Sequence, residues 1–368
     1  MKKFFMFAAM ASVALASCVK NEPAMTVAQQ DEIAFDLPVV APAVKSVTET
    51  VEGAFNQSFK VWGYFSASEM ENFTNATPYM PGVVISLQDG VWKSAGTKYY
   101  WPNNGYLTFV GYAPSDAVGT YDVAATGLII DDYVVDADAD VDLLVSQISY
   151  NNTKPNSDND HGTEAYENGA EIVFEHALSS VQFTVKTLQE ILDNDYTLVV
   201  KKISILGAQS KGDFTQKLEE TPTQMALSTT TNDGWAATDP VVTANYVAYT
   251  NATATATPEG ITLTANPLYT NGSDTQTANT TDLILLPQVI GENVKLEVVY
   301  TLANATMTTP AEQTTTVDLN ETTVDQWLRG KRYTYNLTVK LDEITFDPEV
   351  SAWVTGADQV NDVTPDYN

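Results

Sequence analysis

Cysteine, histidine and arginine are nearly missing from this chain: Cys18, His161 and His176, and Arg329 and Arg332 are all that 368 residues hold. A single thiol closes no internal disulfide, so stability must come from burial. A Ser-His-Asp relay or a zinc centre needs more placed partners than two histidines supply. His161 falls in a polar loop, where a solvated ring is expected. His176 follows Phe174 at period two and reads as a strand-end residue satisfied by backbone hydrogen bonds. Positive charge is scarce as well, with 18 Lys and Arg against 47 Asp and Glu, a formal charge of −29. That field repels nucleic acid and anionic headgroups, which excludes both as partner surfaces. Beyond the first 18 residues, no hydrophobic run is long enough to cross a bilayer.

What is present begins at the N-terminus. Lys2 and Lys3 precede a largely apolar run of 12 residues at 4–15, and Leu15-Ala16-Ser17 puts small residues directly before Cys18. Twelve helical residues span about 18 Å, well short of a ~30 Å bilayer core. The segment is expected to be a cleaved export signal, residues 1–17, and not an anchor. Leu-Ala-Ser-Cys resembles the bacterial lipobox, in which the thiol takes a diacylglycerol and becomes the new N-terminus. Cys18 is therefore the expected lipidation site, with the outer membrane as its partner through lipid. Loss of Lys2 and Lys3 takes the exported chain to −31.

Residues 19–30 are polar and aperiodic and read as a tether. Period-two alternation starts at Ile33, Phe35, Leu37 and Val39 and is broken by Pro38 and Pro42. Short β signals follow, among them Phe59-Lys60-Val61-Trp62-Gly63-Tyr64-Phe65, Leu143-Leu144-Val145 and residues 107–112. A polar loop at 151–169, with Pro155 and Gly162, is the expected domain junction. A second set of strands is read from Ile172-Val173-Phe174 onward, through 180–186, 198–206, 283–286, 296–302 and 333–341. Helical turns are expected only at 188–192 and 324–328. Many short strands rich in β-branched and aromatic residues predict an all-β sandwich architecture, and the length suggests two. The expected units are 46–170 and 171–368, after a tether and first strand at 18–45.

Chemistry is harder to find. Asp136, Asp138, Asp140 and Asp142 alternate, which stacks four carboxylates on one strand face; a solvated edge or loop is the reading, with calcium as the alternative. Asp158-Asn159-Asp160-His161-Gly162 fails as an EF-hand. Placing Gly162 sixth puts Ser157 first and Asn168 twelfth, without the needed carboxylates. Nothing singles out a carboxylate pair for glycoside hydrolysis. No catalytic residue, metal site or cofactor is expected, and the chain does not read as an enzyme.

The two ends match. Ile344, Phe346, Pro348, Val350, Ala352 and Val354 alternate with Glu343, Thr345, Asp347, Glu349 and Ser351, with Trp353 as the exception. One face is apolar and the other charged. Pro348 donates no ladder bond, so this strand belongs at an edge or is broken there. Ile33, Phe35, Leu37 and Val39 carry the same apolar pattern. Such strands are either ordinary terminal strands of their own domains or two occupants of one groove, one replacing the other by strand addition.

Several phrases together resemble the fimbrillin family of Bacteroidales surface lipoproteins, the type V pilins. They are FKVWGYF (59–65), YYWP (99–102), FVGYAP (109–114), DLL (142–144), FEHALSSVQFTV (174–185), LPQ (286–288) and WLRGKRYTYNLTV (327–339), ahead of Trp353. The resemblance covers nearly the whole exported chain. It implies two transthyretin-like Greek-key β-sandwich domains in tandem, secretion as a lipoprotein and assembly into adhesive fimbriae. In such a family a protease removes the lipidated segment with its first strand, here Ile33, Phe35, Leu37 and Val39. The opened groove then takes a donor strand, here Ile344, Phe346, Val350 and Val354, from another copy or a related subunit. Family members commonly carry arginine at the processing site, and this chain has none there. Lys45, followed by Ser46, stands where the cut is needed. The implied partners are other fimbrial subunits, a processing protease and a host protein or glycan receptor. Without cleavage the chain would instead be a lipid-anchored fimbrial anchor or a monomeric surface adhesin. An unrecognised carbohydrate-active enzyme or solute-binding lipoprotein is the third class.

Overall fold

The computed structural model describes residues 31–40, 55–74, 76–117, 120–124, 127–136, 138–154, 169–216, 234–251, 260–271, 273–275, 282–341 and 343–353. Its first sheet draws on strands β1 (Ala34–Phe35), β2 (Val39–Val40), β3 (Phe59–Ser66), β4 (Thr77–Gln88), β5 (Val91–Ser94) and β6 (Tyr106–Ala113). Next in the chain come β7 (Thr120–Ala124), β8 (Gly127–Val134), β9 (Leu144–Ser146), β10 (Ser149–Asn152) and β11 (Val173–His176). The sheet order is β1-β5-β4-β3-β6-β9-β11-β2, with β10 also on β6. The turn between β4 and β5 is Asp89-Gly90, both at positive φ (53° and 82°), the backbone that a tight two-residue hairpin demands. β6 lies centrally and is buried on both faces from Leu107 onward. A Cβ on Gly111 would sit 2.3 Å from the Lys60 carbonyl oxygen, so only glycine lets β3 approach so closely.

The rest of the chain supplies β12 (Ser179–Thr187), helix α1 (Gln189–Asp193), β13 (Tyr196–Gln209), β14 (Lys211–Thr215), β15 (Trp235–Ala237), β16 (Thr243–Thr250) and β17 (Ile261–Thr262). It continues with β18 (Leu268–Tyr269), β19 (Leu283–Leu285), β20 (Gln288–Val289), β21 (Lys295–Asn304), β22 (Ala311–Asp318), β23 (Gln326–Trp327), β24 (Lys331–Val339) and β25 (Ile344–Ala352). One sheet runs β18-β12-β24-β25 with β19 on β12; another runs β16-β13-β21-β22 with β17 on β13. Their apolar faces share one buried cluster, in which Val181, Phe183 and Val185 join Tyr333, Tyr335 and Leu337. Bulges set which residues face it. Leu198 and Val200 point inward, the register shifts between Val200 and Lys202, and Ile203 and Ile205 point inward after the shift. The protein is all-β in architecture.

Several sequence expectations change here. The strand at 173–176 does not open the second set: β11 pairs with β9 and β2 of the first sheet. From β11 the chain passes to β12 of the next sheet through Ala177 and Leu178, both fully buried. A further sheet, β15-β14-β8-β7, joins strands from both halves of the chain. The turn at 188–192 is found as α1, whereas 324–328 holds β23 and the nearest helical turn is a 3₁₀ turn at Leu319–Glu321. The aspartate run is not a strand. β8 ends at Val134, and Ala139 takes a positive φ of 50° because Asp136 Oδ1 accepts its N–H at 2.6 Å. That turn scatters the four carboxylates, and among the described residues no group of three or more metal-ligating side chains converges.

Burial of tyrosines in and against the larger core has a consequence at high pH. Desolvation pushes Tyr246, Tyr333 and Tyr150 up to about 12 from an ordinary 10.0. Their folded-state values are raised, so the stability they hold is intact below pH 10 and lost as pH rises from there through 12. Part of the phenolate absorbance should therefore appear only together with loss of circular dichroism. Reversible titration of every tyrosine near its ordinary value, with the spectrum of the fold unchanged, would contradict this burial.

Candidate functional site at the first strand

Residues 31–40 are too short to form a sheet of their own, and alternation from Ile33 to Phe35 gives them one apolar face. They lie between two strands. On one side β1 runs antiparallel to β5, with Ala34 opposite Lys93 and Phe35 opposite Trp92. On the other, Phe35 bridges Ala170 and β2 runs parallel to β11, with Val39 opposite Val173 and Val40 opposite Phe174. The two ends of the sheet order are thus one continuous segment, and the sheet closes on itself through it. Backbone bonds mark both seams: Ile33 N–H to Tyr99 O (2.8 Å), Trp101 N–H to Asp31 O (3.0 Å), Asp36 N–H to Ala170 O (2.9 Å) and Ala170 N–H to Ala34 O (2.8 Å). Gly169 permits the second seam. At its φ of +146° a Cβ would come within 2.5 Å of the Ala34 carbonyl oxygen.

The apolar face fills the first core. Ile33 and Phe35 are each 1% exposed. The Phe35 ring meets Phe59 and Phe109 edge-on, with centroids 5.6 and 5.1 Å away. Burying two such side chains contributes about 3–6 kcal/mol gross. The face ends there. Asp36 Oδ1 accepts the Leu37 N–H at 2.7 Å and turns the backbone, so Leu37 and Val39 are only half-buried while Pro38 is buried. The expected four-residue stripe is a two-residue plug with a looser continuation. At the segment's start, Glu32 pairs with Lys98 (2.7 Å) and Asp31 with Lys154 (2.6 Å). In water such pairs contribute about 0–1 kcal/mol each and act mainly on register.

The C-terminal strand sits differently. Among the described residues β25 pairs only with β24, from Lys331 opposite Ala352 to Val339 opposite Ile344, and is the last strand of its sheet. Pro348 does not break it; at an edge its missing N–H forfeits nothing on the open side. Ile344 is buried, yet Val350 is 43% exposed, and Glu343, Thr345, Asp347 and Glu349 all face solvent. The Phe346 side chain and Val354 lie outside the described residues, as do Cys18, Lys45, Ser46 and His161. The strand ends on Trp353, which is buried and stacks on His176 at 3.9 Å.

The expectation for His176 is corrected as well. Its Nδ1 meets the Asp142 carboxylate at 2.9 Å, so a side chain and not backbone partners that nitrogen, while the buried Nε2 has no hydrogen-bond partner among the described residues. The two arginines are buried too: Arg329 pairs with Glu175 (3.4 Å) and Arg332 with Asp282 (2.9 Å). Both partners are distant in sequence, which local pattern does not reveal. The lysines at the groove and Gly169 were likewise invisible in the sequence, although Lys98, directly before YYWP, and Lys154, inside the 151–169 loop, are a scarce resource in so acidic a chain.

The sequence matches the fimbrillin-like family over residues 48–353. The chain belongs to that family, and membership makes it a fimbrial-type structural protein of the cell surface. Among solved structures, a fimbrial protein from Bacteroides vulgatus superimposes with a TM-score of 0.54 at 17% identity, covering 88% of this chain and 99% of that one. Chains assigned to cell adhesion from Bacteroides uniformis (TM-score 0.47, 14% identity, 88% and 98% covered) and Bacteroides ovatus (0.46, 15%, 89% and 99%) are more distant in shape. No curated protein matches the sequence.

The two terminal strands should respond oppositely to mutation. Phe35→Ala removes a ring from a closed core and should cost about 3–5 kcal/mol. Val350→Asp, on a half-open edge, should change the stability of the monomer by no more than about 0.5 kcal/mol. Denaturant unfolding of both variants checks this. Equal losses would mean that β25 is as much a core strand as β1.

Proposed function

We propose that this chain is a structural subunit of adhesive fimbriae, exported as a lipoprotein through Cys18 and polymerised by replacement of its first strand. The observation that carries this reading is the double seam: among the described residues, 31–40 are the ones that cover the free edges of β5 and β11. Removing them would open a groove with unpaired backbone on both sides and two side-chain pockets between. An extended segment from another subunit supplies what is lost, by strand addition. The family match begins at residue 48, downstream of that strand and of Lys45, which supports a functional body without it. In this reading residues 18–45 are the removable part, Lys45 and Ser46 flank the cut, and two tandem sandwiches form the subunit, with the boundary drawn after β11 and not at residue 170, because β11 pairs with β9 and β2.

A second reading has its own observation. The only arginines, Arg329 and Arg332, are buried and ion-paired, so an arginine-specific protease has no site in the folded chain. Without a lysine-tolerant protease the subunit keeps its lipid and serves as a fimbrial anchor or monomeric adhesin, with a host protein or glycan as receptor. Lys45→Ala decides between the two. The polymer reading expects a longer surface chain, starting at Cys18, and loss of fibre growth. Fibres of normal length from that variant would overturn the Lys45 assignment.

A further inference from the structure

The end of the second sandwich away from the groove carries an open cleft. β12 and β24 run in parallel from the buried Ala177-Leu178 link and from Gly330, whose N–H donates to Leu178 O at 2.8 Å. They end side by side at Thr187 and Val339, the length of a nine-residue strand away, about 30 Å. There the α1–β13 turn, the β21–β22 turn and the residue Leu341 surround a space of about 540 Å³. That lies within the roughly 300–1,000 Å³ of small-ligand sites. Buried Ile191 and the 40% exposed Leu341 give it apolar surface. Tyr196 and Asn304, opposite each other on β13 and β21, also line it.

The polar lining has unspent capacity of both kinds. Asn304 Oδ1 accepts the Thr306 N–H (3.0 Å), the Met307 N–H (3.1 Å) and the Thr306 hydroxyl (2.8 Å). Those bonds fix the amide and leave its Nδ2 as a donor. Asn194 Nδ2 donates to Glu190 O at 2.7 Å, which leaves Asn194 Oδ1 as an acceptor. Among the described residues the Glu190 and Asp195 carboxylates and the Tyr196 hydroxyl have no protein partner. The lining holds no lysine or arginine, and Lys340, next to Leu341, is paired with Glu343. A metal ion or an ammonium group would satisfy the carboxylates and leave the donors unmatched. An anionic ligand would meet two carboxylates with no cation to offset them. A sugar hydroxyl donates and accepts at once, and a sugar's C–H face suits an aromatic ring and an exposed leucine. Independently of strand replacement, and giving the adhesive part of the reading above a ligand, we propose that this cleft binds an uncharged oligosaccharide. Glu190 and Asp195 accept its hydroxyl protons, Asn304 Nδ2 donates to it, and Tyr196 and Leu341 cover its apolar face. At this distance from the first strand, the site stays open whatever fills the groove.

Titration calorimetry and saturation-transfer NMR on the purified full chain test this. The probes are neutral gluco-, galacto- and manno-configured oligosaccharides, sialylated oligosaccharides and spermine. A neutral probe should bind, and the sialylated probes and spermine should not. Asp195→Asn keeps the side-chain size and suits the positive φ of 61° there. Asn304→Asp keeps the oxygen that closes its turn and removes the donor. Each should weaken the neutral probe about tenfold or more, with thermal unfolding unchanged. Binding that both variants retain overturns the cleft assignment. Tighter binding of sialylated probes or of spermine overturns the ligand class, and no binding by any neutral probe overturns the site. Producing cells that adhere to host tissue while no neutral probe binds leave the adhesive reading standing and this inference overturned. Cells that adhere nowhere, from a chain that binds a neutral probe through Asp195 and Asn304, overturn the adhesive reading and support the cleft.

Discussion

A terminal strand ordinarily adds one ladder to a sheet and buries one face. Residues 31–40 add two ladders, antiparallel to β5 and parallel to β11, and so close the sheet on itself. Their removal would expose two rows of backbone groups and the places of Ile33 and Phe35 at once. The apolar part of that contact, about 3–6 kcal/mol gross, is comparable with the whole net stability of a domain, about 5–15 kcal/mol. The state of the first core therefore depends on whether an extended segment occupies this position, and the geometry asks for extended backbone with two pocket-filling side chains two residues apart.

The opposite end of the chain meets none of those constraints. β25 has an open edge that carries Pro348 and outward acids, the devices by which proteins discourage unwanted edge pairing. It pairs with β24 along its full length, and at its two ends Ile344 is buried and Trp353, just past the strand, stacks on His176. His176 and Glu175 belong to β11, and Glu175 meets Arg329 from the loop before β24. The strand that lines the groove is thus also the one to which the last strand and the second sandwich are fastened. Groove and C-terminus are linked through one short element.

Local pattern made part of this legible. Alternation placed Ile33 and Phe35 on one face, Pro348 announced an edge, and aromatic, β-branched runs announced strands. Long-range pairing left no local mark. The phrase at 172–174 has the same periodicity in whichever sheet it lies, and only the buried Ala177-Leu178 link reveals that β11 stays with the first. Asp136 to Asp142 alternate like a strand, but an Asp136 side-chain bond to the backbone turns the chain at Ala139. His176 and the two arginines find partners 34, 154 and 50 positions away, beyond the reach of any window on the sequence. The groove itself was visible only as two matching strands, because its lysines and Gly169 come from segments that look like ordinary loops.

The claim that one segment closes the first sheet is tested most directly by amide hydrogen exchange, before and after a specific cut placed in residues 41–54. In the intact chain the amides of Ile33, Asp36, Trp101 and Ala170 should be among the protected ones. After the cut and loss of residues 31–40, β5 and residues 170–174 should lose protection together while β13, β21 and β24 keep theirs. Unchanged protection in β5 and β11 after the segment has gone would contradict the account.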